Sequence, residues 1–182
     1  IERIKTKLAL AKNTDRDLKV FGASDHKYIL GEVVSSDAIL QFETEYNVQL
    51  PSCYKAFLLN IGNGGESFSS SGAGPFYGIY PLGKGVNEFI TENPKEYLKG
   101  DCLLHPKMND EDWENLTGKI EEDEISDEDY NIELGKIYGG ILPIGTQGCS
   151  SYHAIVLNGE FKGRVVNINT ERYTPQFTFE SN

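Results

Sequence analysis

The sequence predicts an α+β protein in which helices come first and a largely antiparallel sheet follows. Apolar residues recur every three or four positions in several segments before residue 118, which is the spacing of one helix face. Short apolar runs and alternating patterns typical of strands are concentrated after residue 140. Helical and strand segments are thus grouped separately along 182 residues, which indicates an α+β fold in a single domain.

The chain begins with a predicted amphipathic helix. Residues 1–12 place Ile1, Ile4 and Leu8 on one side, with lysines and an arginine around them. Residues 18–34 contain two short apolar runs interrupted by glycines, and we expect extended segments there.

Two further helices are expected close together. Ser36 suits the cap of a helix over residues 37–47, because a serine oxygen can accept a hydrogen bond from the first turn. Pro51 suits the first position of the next helix, and Gly62 suits the left-handed position that ends it. The aromatic side chains of these helices that helical spacing assigns to the core are Phe42, Tyr54 and Phe57.

The middle of the chain is expected to form one strand and two short helices. The strand is predicted over residues 76–82, where aromatic and aliphatic residues precede a glycine. Short helices are predicted within 86–98 and over 109–117, and Asn109 is expected to cap the second.

The last third predicts the sheet. Strands are expected over 141–144, 151–157 and 164–169. In the last of these, alternation places Val166 and Ile168 together on one face.

The net charge of -11 is confined to one segment. Residues 110–133 contain a single base, Lys119, while acids and bases balance over the rest of the chain. A polyanionic segment disfavours binding to nucleic acid and favours a basic partner. The more common interpretation of such a run of charges is a solvated helix face or a disordered loop. The acids of this segment are Asp110, Glu111, Asp112, Glu114, Glu121, Glu122, Asp123, Glu124, Asp127, Glu128, Asp129 and Glu133.

Signals for other function classes are missing from the sequence. No run approaches the roughly 20 apolar residues of a membrane-spanning helix. The three cysteines are odd in number and irregularly spaced, which disfavours a disulfide framework or a zinc site and suits a reducing cytoplasm. The glycine-rich loop at 62–75 lacks the ending of a phosphate-binding loop. We therefore expect no catalytic residues, no metal and no cofactor.

Several ordered motifs resemble the SUKH superfamily, which is named for a yeast cell-wall-synthesis regulator and its bacterial relatives. The leading motif is similar to LPSCYKAFLLNIGNGG at 50–65. Three further segments resemble a bacterial branch of immunity proteins: FGASDHKYIL at 21–30, GPFYGIYPLG at 74–83 and GGILPIGTQGCSSYHAIVLNGEFKGRVVNIN at 139–169. The resemblance covers most of residues 21–169.

The resemblance implies an α+β fold with a mixed or largely antiparallel sheet flanked by helices. It also implies one SUKH-like domain over 1–182, with the acidic segment at about 110–133 as an insertion. The chain departs from the family pattern at 66–71, where a serine-rich insertion follows the glycines. The family usually closes with a C-terminal helix, which we expect to be missing here.

The resemblance also implies a non-catalytic binding module. Bacterial members are mostly immunity proteins that neutralise polymorphic toxins, often nucleases, inside the producing cell, so a cytoplasmic location is expected. The alternative is an intracellular regulatory or scaffold protein related to the fungal signalling members.

The expected partner is a cognate protein toxin with a basic active-site surface. We expect the acidic segment to supply electrostatic attraction and aromatic residues to supply anchors. For Trp113, packing in the core is an equally good interpretation. The residues predicted to bind the partner are Asp110, Glu111, Asp112, Trp113, Glu121, Glu122, Asp123, Glu124, Asp127, Glu128, Asp129, Phe76, Tyr77 and Tyr80.

Overall fold

An antiparallel sheet lies at the centre of the computed structural model, which describes residues 1–65, 71–121 and 124–178. Within these residues the sheet has four strands, and each strand pairs with the one before it in sequence. The strands are β1 (Ile141–Gly148), β2 (Ser151–Val156), β3 (Val165–Asn169) and β4 (Gln176–Phe177).

Helices precede the sheet along the chain, which confirms the predicted α+β class. Two 3-10 helices, Lys84–Asn87 and Gly118–Glu121, accompany seven α-helices in the described residues. The α-helices are α1 (Glu2–Thr14), α2 (Ala23–His26), α3 (Ser36–Tyr46), α4 (Ser52–Asn60), α5 (Pro94–Leu98), α6 (Asp110–Thr117) and α7 (Asp127–Ile137).

The cap of α6 is confirmed, whereas two other predicted helix ends are shifted. The Asn109 side chain accepts a hydrogen bond from the Asp112 amide, as expected for a cap. For α3 the cap is Ser35 and not Ser36, and the Ser35 oxygen accepts from the Ala38 amide. Pro51 occupies the cap position of α4 and not its first turn.

Two predictions for the irregular parts of the chain are wrong, and a third is confirmed in part. Residues 18–34 contain a short helix and turns in place of extended segments. Residues 76–82 form turns with an isolated bridge at Ile79, because Phe76 and Gly78 both have positive φ angles that interrupt extended backbone. The short helix predicted within 86–98 is confirmed over Pro94–Leu98, whereas residues 88–93, between the 3-10 helix and α5, are not helical.

One face of the sheet packs against α3 and α4. Successive side chains of a strand point to opposite sides, so alternate residues of each strand face these helices. The predicted core positions Phe42 and Tyr54 are confirmed, and Phe57 is half-buried against the same cluster. The cluster also includes Ile39, Leu50, Leu58, Leu142, Ile155 and Leu157.

The opposite face packs against the acidic segment. Its strands contribute Ala154, Val156, Val166 and Ile168, which confirms the predicted alternation in β3. The helical layer contributes Trp113, Ile120 and Ile137 to the same cluster.

The glycines of the leading motif allow two loops to come into close contact. A Cβ atom added at Gly64 would lie 2.1 Å from the Pro81 nitrogen and 2.2 Å from its Cδ atom. A Cβ atom at Gly31 would lie 1.9 Å from the Gly64 carbonyl oxygen. Because both neighbours are main-chain or ring atoms, neither can move aside as a flexible side chain could, and only glycine fits.

Replacing Gly64 by alanine is therefore expected to lower the free energy of unfolding by about 1–3 kcal/mol or more, the usual cost of forcing an extra carbon into a packed site. Urea denaturation followed by circular dichroism measures this change. Gly118→Ala is the matched control, since an added Cβ meets nothing within 4 Å there and the backbone is helical. We expect that control to be neutral or stabilising. Equal destabilisation by the two substitutions would contradict the packing argument.

Candidate partner-binding site

The acidic segment is a packed layer of the fold over its described residues. The Trp113 side chain is only 2% exposed, and its Nε1–H donates a hydrogen bond of 2.6 Å to the Arg172 carbonyl oxygen. Ile120 of the 3-10 helix and Ile137 at the end of α7 are buried in the same cluster. The segment is therefore held by apolar side chains while its acids face outward.

The predicted acidic residues are exposed wherever the structure describes them. Glu122 and Asp123 lie outside the described residues. The exposed members of the predicted set are Asp110, Glu111, Asp112, Glu121, Glu124, Asp127, Glu128 and Asp129. Glu114 is exposed beside them.

Many of these acids occupy the first turns of two helices. The first turn of α6 carries Asp110, Glu111 and Asp112, and that of α7 also begins with three acids. Amide groups at a helix start carry partial positive charge, so carboxylates stabilise both helices there. The Ser126 cap of α7 also donates its hydroxyl to the Asp129 carboxylate at 2.7 Å. The same acids thus help to fold the segment and give it its charge.

Part of the charge is neutralised locally. Glu133 bonds Lys136 at 2.6 Å and lies 3.6 Å from Lys119, and the hydrogen bond from Lys136 lowers the pKa of the Glu133 carboxyl. Glu121 bonds Arg172 at 2.7 Å. These are surface ion pairs, which contribute little to stability but fix the positions of their side chains.

The four predicted aromatic anchors do not share one environment. Trp113 and Tyr80 are buried at 2% and 5% exposure, so both are core residues and neither side chain is available as a surface anchor. Tyr77 is half-buried, and Phe76 is 45% exposed. Of the four predicted anchors, Phe76 is therefore available to a partner and Tyr77 is partly available.

Phe21, which the sequence analysis did not select, joins them in an aromatic cluster. Its ring lies edge-on to Phe76 at 6.1 Å and to Tyr77 at 5.1 Å, and it is 61% exposed. The Phe76 ring in turn lies 5.7 Å from the His153 ring. The sequence contained a signal for Phe21, because the motif at 21–30 begins with this aromatic residue and continues with Gly22, which permits the contact.

Backbone contacts hold the aromatic cluster in place. A Cβ atom at Gly22 would lie 1.8 Å from the Phe76 carbonyl oxygen, so the two loops touch through their main chains. Phe76 itself has a φ angle of +53°, which is unfavourable for an aromatic residue and persists only where surrounding contacts impose it. Strain of this kind is typical of functional positions.

His26 ties the cluster to α2. Its Nδ1 atom accepts a hydrogen bond of 3.0 Å from the Tyr28 amide. Burial lowers the pKa of the His26 imidazole, and Asp25 together with hydrogen bonding to the carbonyls of Phe76 and Gly74 opposes that shift. The buried ring therefore acts as a neutral bridge between α2 and the loop that presents Phe76.

Burial disfavours a nucleophilic role for one of the three cysteines, Cys102, whereas Cys53 and Cys149 are exposed. Cys53, Cys102 and Cys149 are free thiols. Burial raises the pKa of the Cys102 thiol to about 11, which keeps it protonated near neutral pH. Among the residues that the structure describes, no group of three or more histidine, cysteine or acidic side chains could hold a metal ion.

None of the helices in the described ranges is long and apolar enough to cross a membrane.

The fold is an α+β domain built on an antiparallel sheet. The acidic segment forms a helical layer on one face of this sheet, and we call this layer, made of α6, the 3-10 helix Gly118–Glu121 and α7, the acidic layer. Residues 33–181 match the model of the SMI1 / KNR4 family (SUKH-1), and the chain belongs to that family. The resemblance inferred from the sequence is thereby confirmed. Neither a curated protein nor a solved structure gave a significant match. The family is generally non-catalytic, includes immunity proteins, and is associated with binding protein toxins.

Protonation of the buried His26 and the half-buried His153 is expected to destabilise the fold. Burial lowers the pKa of His153 and of His26 below the ordinary value of 6.5. The unfolded chain then binds more protons than the folded chain, so stability falls as the pH drops through 6.5. Urea denaturation at pH 7.5 and pH 5.5 measures this loss.

The variant His153→Gln is expected to show a smaller decrease in stability over the same interval. Glutamine can form a hydrogen bond with Asn167 in place of the imidazole, but it does not titrate. Comparing the variant with the wild-type protein removes the contribution of the acidic groups, which is common to both. A wild-type stability that is unchanged or higher at pH 5.5, together with an identical profile for the variant, would contradict the assignment.

Proposed function

We propose that the protein is a cytoplasmic immunity protein that binds a cognate toxin and blocks its active site. Membership in a family that includes immunity proteins carries this proposal. The acidic layer supports it, because a rigid surface of one charge suits a partner of the opposite charge. The proposed action is binding alone, without chemistry on the toxin.

A nuclease is the class of toxin that best fits the acidic layer. Nucleases hold phosphates with lysine and arginine side chains, so their clefts are basic. Carboxylates fixed on α6 and α7 could enter such a cleft in place of the nucleic-acid backbone. Because Trp113 and the helix caps already order these helices, binding would not have to pay for folding them.

The proposal predicts that a neighbouring gene encodes a large secreted protein with a toxin domain, and that domain is the partner to test. Co-expression is expected to protect cells from that domain, and the two proteins are expected to co-purify as a stoichiometric complex. A wild-type protein that neither binds nor protects would overturn the proposed function. Binding to housekeeping proteins in place of the toxin would instead favour the regulatory or scaffold alternative.

Neutralising part of the acidic layer is expected to slow association. The variant Glu111→Gln, Glu114→Gln, Glu124→Gln and Glu128→Gln removes four exposed charges without touching the capping contacts of Asp112 and Asp129. Electrostatic steering changes association rates by about 10- to 1,000-fold, so we expect at least a several-fold lower rate constant at low salt. The dependence of that rate on ionic strength should weaken as well. Stopped-flow or surface plasmon resonance measures both quantities.

A matched control removes the same four charges elsewhere. Glu2, Glu32, Glu45 and Glu160 are also exposed, and changing each to glutamine gives the same net charge. We expect this control to associate nearly as fast as the wild-type protein. Equal rates and equal salt dependence for the two variants would show that the position of the charge on the acidic layer does not matter.

A further inference from the structure

One face of the sheet changes from apolar to polar where its helical cover ends. In β2, Ile155 packs in the cluster with α3 and α4, whereas Ser151 and His153 lie on the same side of the strand nearer the β1–β2 turn. Asn169 and Asn167 of β3 lie directly opposite them, and Gln176 of β4 pairs with Asn167. With Gln147 of β1, these side chains form what we call the amide face: Gln147, Ser151, Asn167, Asn169 and Gln176.

Hydrogen bonds fix the amide face. The Asn167 Oδ1 atom accepts from Gln147 Nε2 at 2.9 Å and lies 2.9 Å from His153 Nδ1. Asn169 Nδ2 donates to Ser151 Oγ at 2.7 Å, and its Oδ1 accepts from the Glu171 amide at 2.6 Å. Side chains held in this way lose little conformational entropy when a ligand binds.

The amide face still has bonding capacity. Each primary amide has two donors and one acceptor with two lone pairs. Within the described residues, no hydrogen bond involves the Asn167 Nδ2 or Gln147 Oε1 atoms. Both side chains are half-buried, and the Gln176 side chain is exposed. The face therefore offers donors and acceptors that are already oriented.

The amide face lines a shallow depression of about 220 Å³ whose eight described lining residues are all uncharged. Tyr173 lies at one end and is 67% exposed. At the other end the His153 ring contacts Phe76 of the aromatic cluster. In a chain with 25% charged residues, an uncharged surface between two exposed aromatic rings resembles the centre of a protein interface, where charges are depleted and aromatic residues are enriched. Tyrosine, serine and asparagine also dominate the binding surfaces of antibodies.

The acidic layer borders this surface at the Tyr173 end. The neighbouring Thr174 hydroxyl donates to the Asp110 carboxylate, and Arg172 bonds Glu121 at 2.7 Å. An uncharged centre with an acidic border is complementary to a protein whose docking region is uncharged and whose flank is basic.

We infer that the amide face, with Phe76 and Tyr173 at its ends, is the centre of the interface with the partner protein. This inference rests on the proposed function and adds to it the part of the surface that contributes most of the affinity. The acidic layer lies at the border and mainly governs the association rate.

Two substitutions test the amide face in a binding titration with the toxin domain that co-expression identifies as the partner. Gln176→Lys places an ammonium group in the centre of the proposed interface, and we expect affinity to fall by about tenfold or more, since an uncompensated charge would lose its hydration. Phe76→Asn removes the exposed ring while keeping a residue that tolerates a positive φ angle, and we expect a loss of about tenfold or more.

Gln41→Lys is the matched control. Gln41 is exposed on α3, so the same change of charge occurs away from the amide face, and wild-type affinity is expected. Hydrogen–deuterium exchange of the wild-type complex gives a measurement that needs no variant, and protection is expected at residues 147–153 and 167–177.

The possible outcomes separate this inference from the proposed function. If the wild-type protein binds the toxin domain, weaker binding by both test variants and protection of the two segments support the amide face. Wild-type affinity in both variants, or protection confined to other segments, overturns the amide face while the proposed function stands. An equal loss in Gln41→Lys also overturns it. If the wild-type protein does not bind, the proposed function fails and the inference fails with it.

Discussion

The contact between Trp113 and the sheet is the interaction on which the acidic side of the molecule depends. The indole is buried, and its N–H bonds the Arg172 carbonyl oxygen just beyond β3. This one side chain joins α6 to the end of the sheet, and Ile120 and Ile137 complete the contact over the next two helical segments. Without buried apolar residues, a segment with this many acids would repel itself into an extended chain. The charge can be concentrated because the packing beneath it is apolar.

The other side of the sheet depends on close main-chain contacts. Gly22 meets the Phe76 carbonyl, Gly64 meets Pro81, and the neutral His26 ring bridges α2 to the neighbouring loop. These contacts need glycine or a buried polar group and leave no freedom for the loop. The backbone of Phe76 is therefore held in a strained conformation, and the contacts that the glycines permit determine where its exposed ring lies.

Local signals predicted much of this fold, and long-range packing decided the rest. The Asn109 cap and the alternation of Val166 and Ile168 depend on neighbouring residues, so the sequence indicated them correctly. Residues 76–82 have the composition of a strand, but positive φ angles at Phe76 and Gly78, imposed by contacts with distant loops, prevent it. The burial of Trp113 among charged neighbours follows from the sheet that lies beneath α6, which no local pattern shows. The amide face was hidden for the same reason, since cross-strand pairing brings its members together from three separate segments and a two-residue strand.

The distribution of charge also bears on its purpose. Solubility requires charge on the surface but favours both signs dispersed over it. Here the charge is concentrated on one helical layer, which is packed against the fold, and the adjacent amide face contains none. A field from one side of the molecule draws a basic partner from a distance but is screened within about 8–10 Å at physiological salt. Discrimination between partners at close contact then requires an ordered surface near the charged one. The hydrogen bond between Thr174 and Asp110 shows that the amide face and the acidic layer are neighbours. In this proposal, long-range attraction comes from the helices α6 and α7 and short-range fit from the amide face on the other side of the sheet, and the two surfaces meet where Asp110 bonds Thr174.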